Sequence, residues 1–108
     1  MAVIIPAAVT WAGPRNDVVT VLSITITSDY LAAPTNDMDV ILYRQVEHEE
    51  PVGSVVGIEI VDFLDFDRWN DLPVLDLLWQ LPKQEPLPLT IALQRVQHQL
   101  RQEQRKSA

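Results

Sequence analysis

The sequence predicts an α+β fold: a small four-stranded antiparallel sheet, connected as a meander, followed by a short helix and a C-terminal amphipathic helix. Two runs rich in β-branched residues, at 18–27 and 51–63, predict strands. Apolar residues at helical spacing from residue 89 onward predict the terminal helix. With 108 residues, the chain is long enough for one domain with a single core.

Turn-forming residues divide the first part of the chain into four predicted strands. These are residues 3–11, 18–27, 40–46 and 51–63. Residues 12–17 supply Gly, Pro, Asn and Asp for a turn, which makes the first two strands a hairpin. Residues 28–39 contain Pro34 and Asn36 and show no periodicity, so they predict an exposed loop.

The fourth predicted strand carries an acidic residue in an apolar run. With a period of two, Val56, Ile58 and Ile60 share one face, which predicts core. The opposite face is mixed; its members are Val55, Gly57, Glu59, Val61 and Phe63. A glycine inside a strand often marks a bulge or a close approach by another backbone or a ligand. The simplest interpretation of the mixed face is that it meets solvent.

Two helices are predicted after residue 66. Asn70 or Asp71 can cap a short helix at about 73–80, whose early turn contains Pro73. Three prolines then exclude regular structure from the following segment, which predicts a linker. The predicted divisions are a β-rich domain with the short helix, the linker, and the terminal helix with a basic tail, at residues 1–81, 82–88 and 89–108.

The terminal helix has a narrow apolar seam. Its members lie at i, i+4, i+7 and i+11 and are Leu89, Leu93, Val96 and Leu100. An isolated helix of this length is marginal in water, so the seam has to pack against the chain's own sheet or against another subunit. These four residues are the predicted interaction residues. They suggest a homodimer, or a foreign partner protein bound through the helix.

The charge is distributed unevenly along the chain. Residues 1–86 contain four basic and fourteen acidic residues, a net charge of −10, whereas residues 87–108 have a net charge of +3. An acidic body repels phosphate, which argues against nucleic-acid binding by the globular part. The basic tail leaves one nucleic-acid hypothesis open, an antitoxin-like or regulatory protein with a basic C-terminal anchor.

The cysteine content and the hydropathy of the sequence indicate the cellular compartment of the protein. The chain has no cysteine, and so no disulfide framework, thiolate metal site or cysteine nucleophile. The first residues lack a basic segment and are interrupted by Pro6, and no apolar run approaches the roughly 18 residues of a membrane span. These features predict a cytoplasmic protein that does not contact membranes.

The sequence contains residues of two kinds that can form catalytic sites, carboxylates and histidines. Four carboxylates crowd around the fourth strand and suggest a cation site for a small metal-dependent hydrolase: Glu59, Asp62, Asp65 and Asp67. Their spacing does not match an EF-hand-type loop, since no central glycine and closing glutamate are present. His48 and His98 are the only histidines, and no serine is framed by glycines as in a nucleophile elbow. The sequence therefore predicts no enzyme, no catalytic or metal-binding residue and no cofactor.

One segment resembles a known family. Trp11, the polar turn that ends at Asp17, the strand at 18–24 and above all the run 55–62, Val-Val-Gly-Ile-Glu-Ile-Val-Asp, resemble the small bacterial domain of unknown function numbered twenty-two eighty-three. The resemblance covers residues of about 7–66, and its close match is the last strand. The turn at 12–16 departs from the family pattern, which has acidic residues there. The resemblance implies a compact, mostly antiparallel sheet and no established activity.

Together these features lead to a functional hypothesis. The chain is predicted to be a non-catalytic protein-interaction module that forms a homodimer through its terminal helix. The metal-dependent hydrolase and the antitoxin-like regulator are the alternatives.

Overall fold

The chain folds into a seven-stranded mixed sheet with one long helix. The computed structural model describes residues 3–26, 29–73 and 75–107. The strands are β1 (Val3–Trp11), β2 (Val18–Ser23), β3 (Tyr30–Pro34), β4 (Val40–Gln45), β5 (Val55–Val61), β6 (Leu77–Gln80) and β7 (Leu87–Pro88). The helices are the single turn α1 (Gly13–Asn16) and α2 (Leu89–Ser107), and short 3-10 turns lie at Phe63–Asp65 and Trp69–Asp71. The strand order is β3-β4-β5-β2-β1-β6-β7.

The predicted four-stranded antiparallel meander is wrong, although the α+β class is correct. The sheet contains three further strands, and β1 pairs with β6 in parallel, which makes the sheet mixed. β5 pairs with β2 as well as with β4, so the order in space is not the order in sequence. Long-range pairing of this kind leaves no trace in a local pattern, because it joins segments that lie far apart in the chain.

The three missed strands occupy segments assigned to other structures. β3 lies in the predicted loop at 28–39, and β7 lies in the predicted linker at 82–88. The predicted helix at 73–80 is also wrong, because its second half forms β6. The burial of Trp79 explains why this segment is a strand. Trp79 is fully buried, and β6 places it opposite Ile5 of β1 and Leu87 of β7. A short apolar run fits a helix or a strand equally well until its partners are known.

The predicted β1–β2 hairpin is present, and Asp17 fixes its turn. Asp17 has φ 49°, a left-handed conformation that Asp tolerates better than most residues. Its carboxylate accepts a hydrogen bond from Trp11 Nε1 at 3.0 Å and from the amide of Leu64 at 2.9 Å. The side chain thereby joins the hairpin to the 3-10 turn that follows β5. Trp11 and Asp17, which carry part of the family resemblance, therefore have a structural role.

A bulge in β5 changes which side chains reach the core. Ile58 and Ile60 are fully buried, as predicted. However, the register shifts between Tyr43 and Arg44, so that Arg44 pairs with Val55 and the intervening Val56 is the extra residue. Val55 therefore belongs to the core cluster, although it was predicted on the mixed face.

Gly57 is required by its neighbour on β2. A Cβ atom at this position would lie 2.7 Å from Leu22 Cδ1 and 2.7 Å from the carbonyl oxygen of Val21. The close approach predicted for this glycine is thus made by the chain itself. Leu22 covers Gly57, which explains why this glycine is buried on a face that is otherwise open.

The core lies between one face of the sheet and the segments that follow β5. The terminal helix, predicted from residue 89, is present as α2 and packs its apolar side on this core. Gln97 of α2 is also buried, and its Nε2 donates to the carbonyl oxygens of Phe63 at 2.7 Å and Phe66 at 2.8 Å. This amide ties the helix to the first 3-10 turn.

Arg68 holds the loop between β3 and β4. Its Nε donates to Asp37 Oδ2 at 2.7 Å, and its Nη2 donates to Asp39 Oδ2 at 2.8 Å. The Asp37 side chain is only 7% exposed. The hydrogen bond from Arg68, and then the one from the amide of Asp39, lower the pKa of Asp37 below its ordinary value.

Ionisation of Asp37 should make the stability of the fold depend on pH. A carboxyl group whose pKa is lower in the folded state stabilises the fold above its unfolded pKa, near 3.8, and this contribution is lost as the pH falls through the folded pKa. We expect Asp37→Asn to lower the urea midpoint at pH 7 and to have little effect near pH 2. Asp67→Asn, at an exposed position, is the matched control. An equal loss for Asp37→Asn at both pH values would contradict this role.

Candidate functional site

The face of the sheet opposite α2 is open and almost uncharged. Cross-strand pairing aligns its residues in two rows over five strands: Pro34, Ile41, Glu59, Thr20 and Thr10 in one, and Ala32, Tyr43, Gly57, Leu22 and Ala8 in the other. All except Gly57 remain exposed or half-buried. Glu59 is the single charged residue in the two rows, in a chain of which 21% of residues are charged. Uncharged surfaces of this kind are typical of interaction sites.

Glu59 lies beside two hydroxyl groups on this open face. Thr20 Oγ1 donates to Glu59 Oε1 at 3.4 Å across the β2–β5 pair. Burial raises the pKa of Tyr43 above its ordinary value, and the negative charge of Glu59 raises it further. The Tyr43 ring also meets the ring of Tyr30 edge-to-face at 5.7 Å. This arrangement places the one charged group of the two rows next to Thr20 and near Tyr43.

β3 forms one edge of the sheet, and its only protection within the strand is Pro34 at its end. Its sequence, Tyr-Leu-Ala-Ala-Pro, contains no charge. Tyr30, Leu31 and Ala32 are exposed, and the exposed fraction of Leu31 is 51%. Edge strands in monomers are normally short or protected by charges, by prolines or by a cover. The opposite edge follows this rule, because β7 has two residues and one of them is Pro88.

The predicted seam lies in the chain's own core for most of its length. Leu89, Leu93 and Val96 are buried against the sheet. Leu100 is only partly buried and lines an open groove of about 370 Å³ between α2, the end of β1 and the turn after β6. The seam therefore stabilises the monomer, and three of its four residues are already covered within one chain.

The four carboxylates of the hydrolase hypothesis do not converge. Glu59 lies on the open face, whereas Asp62, Asp65 and Asp67 are exposed in the segment that turns back toward α2. Among the residues that the structure describes, no three Asp, Glu, His or Cys side chains form a group that could hold a metal ion. The two histidines are also apart, with His48 in the turn before β5 and His98 on an exposed side of α2.

The basic tail is distributed around α2. Arg95 Nη1 pairs with Glu85 at 2.9 Å, with both side chains at least half exposed. Arg101 Nε donates to the carbonyl oxygen of Leu64 at 2.7 Å. Arg105 and Lys106 lie exposed in the last turn of α2, where cations complement the helix dipole. Two of the four basic side chains, Arg95 and Arg101, therefore bond to other residues of the same chain.

No protein-family model, curated protein or solved structure matches this chain. The resemblance to the domain of unknown function thus stays a prediction. Across the described parts of the chain, no helix is sufficiently long and apolar to cross a membrane.

Sequence reasoning found the open face only at β5 and missed the β3 edge. The alternation in β5 indicated a face that meets solvent, and that prediction holds for Glu59. The edge position of β3 was hidden, because Pro34 and the polar residues around it are typical of a loop. The uncharged run of residues 30–34 within that loop was the available signal.

Proposed function

We propose that the protein is a non-catalytic protein-interaction module that associates with a second copy of itself, in the cytoplasm. The observation that carries the proposal is the edge strand β3, which contains no charged residue and exposes Tyr30, Leu31 and Ala32. It adjoins the open face, where Glu59 is the only charge in two rows of residues across five strands. A largely uncharged sheet face beside an unpaired edge strand suits protein contact better than it suits the positioning of a small substrate.

Charge favours contact at the uncharged surfaces. The chain has a net charge of −7, so two copies repel each other wherever their acidic surfaces meet. The open face and the adjoining β3 edge avoid this repulsion. Most of the seam of α2 is buried in the core of its own chain. We therefore assign the proposed contact between copies to the sheet and not to the helix.

The mass of the 108-residue chain in solution tests this function. Sedimentation velocity over a range of concentrations should show a species of twice the 12.2 kDa chain mass that dissociates on dilution. A chain that sediments at 12.2 kDa at every accessible concentration would overturn the self-association.

A further inference from the structure

We infer that two copies join through β3, edge to edge and antiparallel, so that the two sheets become one continuous sheet. This inference rests on the proposed self-association and names the surface that carries it. The pairing requires backbone amide and carbonyl groups of β3 that point away from β4. It also requires a register in which these groups form hydrogen bonds with the second copy, and side chains that fit together in that register.

The outward backbone groups follow from one hydrogen bond. Val46 N donates to the carbonyl oxygen of Asp29 at 2.9 Å, and these two residues lie directly opposite each other in the β3–β4 register. In an antiparallel pair, hydrogen-bonded and non-hydrogen-bonded pairs alternate. Leu31 and Ala33 therefore bond to β4, whereas the amide and carbonyl groups of Tyr30 and Ala32 point outward.

Pro34 also presents its carbonyl outward but has no amide hydrogen. This missing donor fits one arrangement of two copies. When all five residues of the strand pair with their equivalents around a two-fold axis, Ala32 lies opposite Ala32 of the second copy, and Tyr30 lies opposite its Pro34. Each Ala32 amide then donates to the other Ala32 carbonyl, and each Tyr30 amide donates to a Pro34 carbonyl. Every outward amide of β3 finds an acceptor.

The side chains of β3 suit this register. Ala32 at the axis is small, so two copies can approach closely. The exposed ring of Tyr30 would lie next to Pro34 of the second copy on the open face. Leu31, which is 51% exposed, would lie opposite the second copy's Ala33 and lose part of its exposed apolar surface. No charged residue lies within the paired strand, so no like charges lie opposite each other in the five-residue register.

A charge-swap experiment tests the register. Ala32→Lys and Ala32→Glu each place two like charges opposite each other at the axis, and each variant should sediment at 12.2 kDa rather than twice that mass. Mixing the two variants should restore the double mass, because Lys then faces Glu. Position 32 is exposed, so both variants should keep the wild-type circular dichroism spectrum and a cooperative melt, with a midpoint lowered only by the stabilisation that association gives the wild type.

Ala8→Lys is the matched control. Ala8 is exposed in the same row of the open face but lies on β1, away from the edge, so this variant should keep the double mass. If Ala32→Lys keeps the double mass, or if Ala8→Lys loses it, the edge contact is wrong and the proposed self-association stands through another surface. If the mixture of Ala32→Lys and Ala32→Glu stays at the single-chain mass, the Ala32-centred register is wrong. A wild-type protein that is monomeric throughout would overturn both proposals.

Discussion

Replacing Ile58 by Asp should abolish folding. Ile58 is 0% exposed, in the middle of β5, with β2 on one side and β4 on the other. The variant places an unpaired carboxylate among apolar side chains, which costs several kcal/mol in addition to the lost apolar contacts. The free energy of unfolding of a domain of this size is only about 5–15 kcal/mol, so a loss of more than about 5 kcal/mol removes much or all of it. Far-UV circular dichroism and a urea titration measure the effect.

Glu59→Gln is the control at the adjacent position. Glu59 is half-buried on the open face, so removing its charge should change the free energy of unfolding by less than about 1 kcal/mol. If Ile58→Asp folds cooperatively with the wild-type spectrum, the two faces of β5 are exchanged and its register is shifted by one residue.

Gln97→Met should lower the free energy of unfolding by about 2–4 kcal/mol. The substitution keeps the length of the side chain and a good helix former, but it removes the amide that bonds to the carbonyl oxygens of Phe63 and Phe66. Each lost bond contributes about 1 kcal/mol, and leaving a buried acceptor without a partner costs about 1–3 kcal/mol. The loss should appear as a lower urea midpoint with an unchanged slope.

Gln94→Met provides the comparison on the same helix. Gln94 is exposed, so this variant should stay within about 0.5 kcal/mol of the wild-type protein. Equal stabilities for Gln97→Met and Gln94→Met would show that the buried amide does not hold α2 to the turn after β5.

The elements predicted correctly are those whose partners lie nearby or whose pattern is long. The β1–β2 hairpin has a strong turn between two apolar runs, and α2 has a seam that extends over three turns. Ile58 and Ile60 were assigned to the core because alternation alone separates the faces of a strand. These features depend on local chemistry, which a single sequence displays.

The elements predicted incorrectly depend on distant pairing. β6 becomes a strand because β1 offers it a parallel edge more than sixty residues earlier in the chain, as the Ile5–Trp79 pair shows. β7 is too short to produce a pattern, and β3 ends in a proline that is tolerated only because it lies on an edge. The candidate site was missed for the same reason, since an edge is a property of the whole sheet.

Amide hydrogen exchange in β3, followed by NMR, is the most direct test of whether two copies pair through this strand. Leu31 and Ala33 bond to β4 within one chain, so their amides should exchange slowly in any folded state. The amides of Tyr30 and Ala32 point outward, so we expect them to exchange slowly at concentrations where the chain has the double mass. In the Ala32→Lys variant, the amides at positions 30 and 32 should exchange fast. Fast exchange of Tyr30 and Ala32 in a wild-type dimer would contradict pairing through this edge.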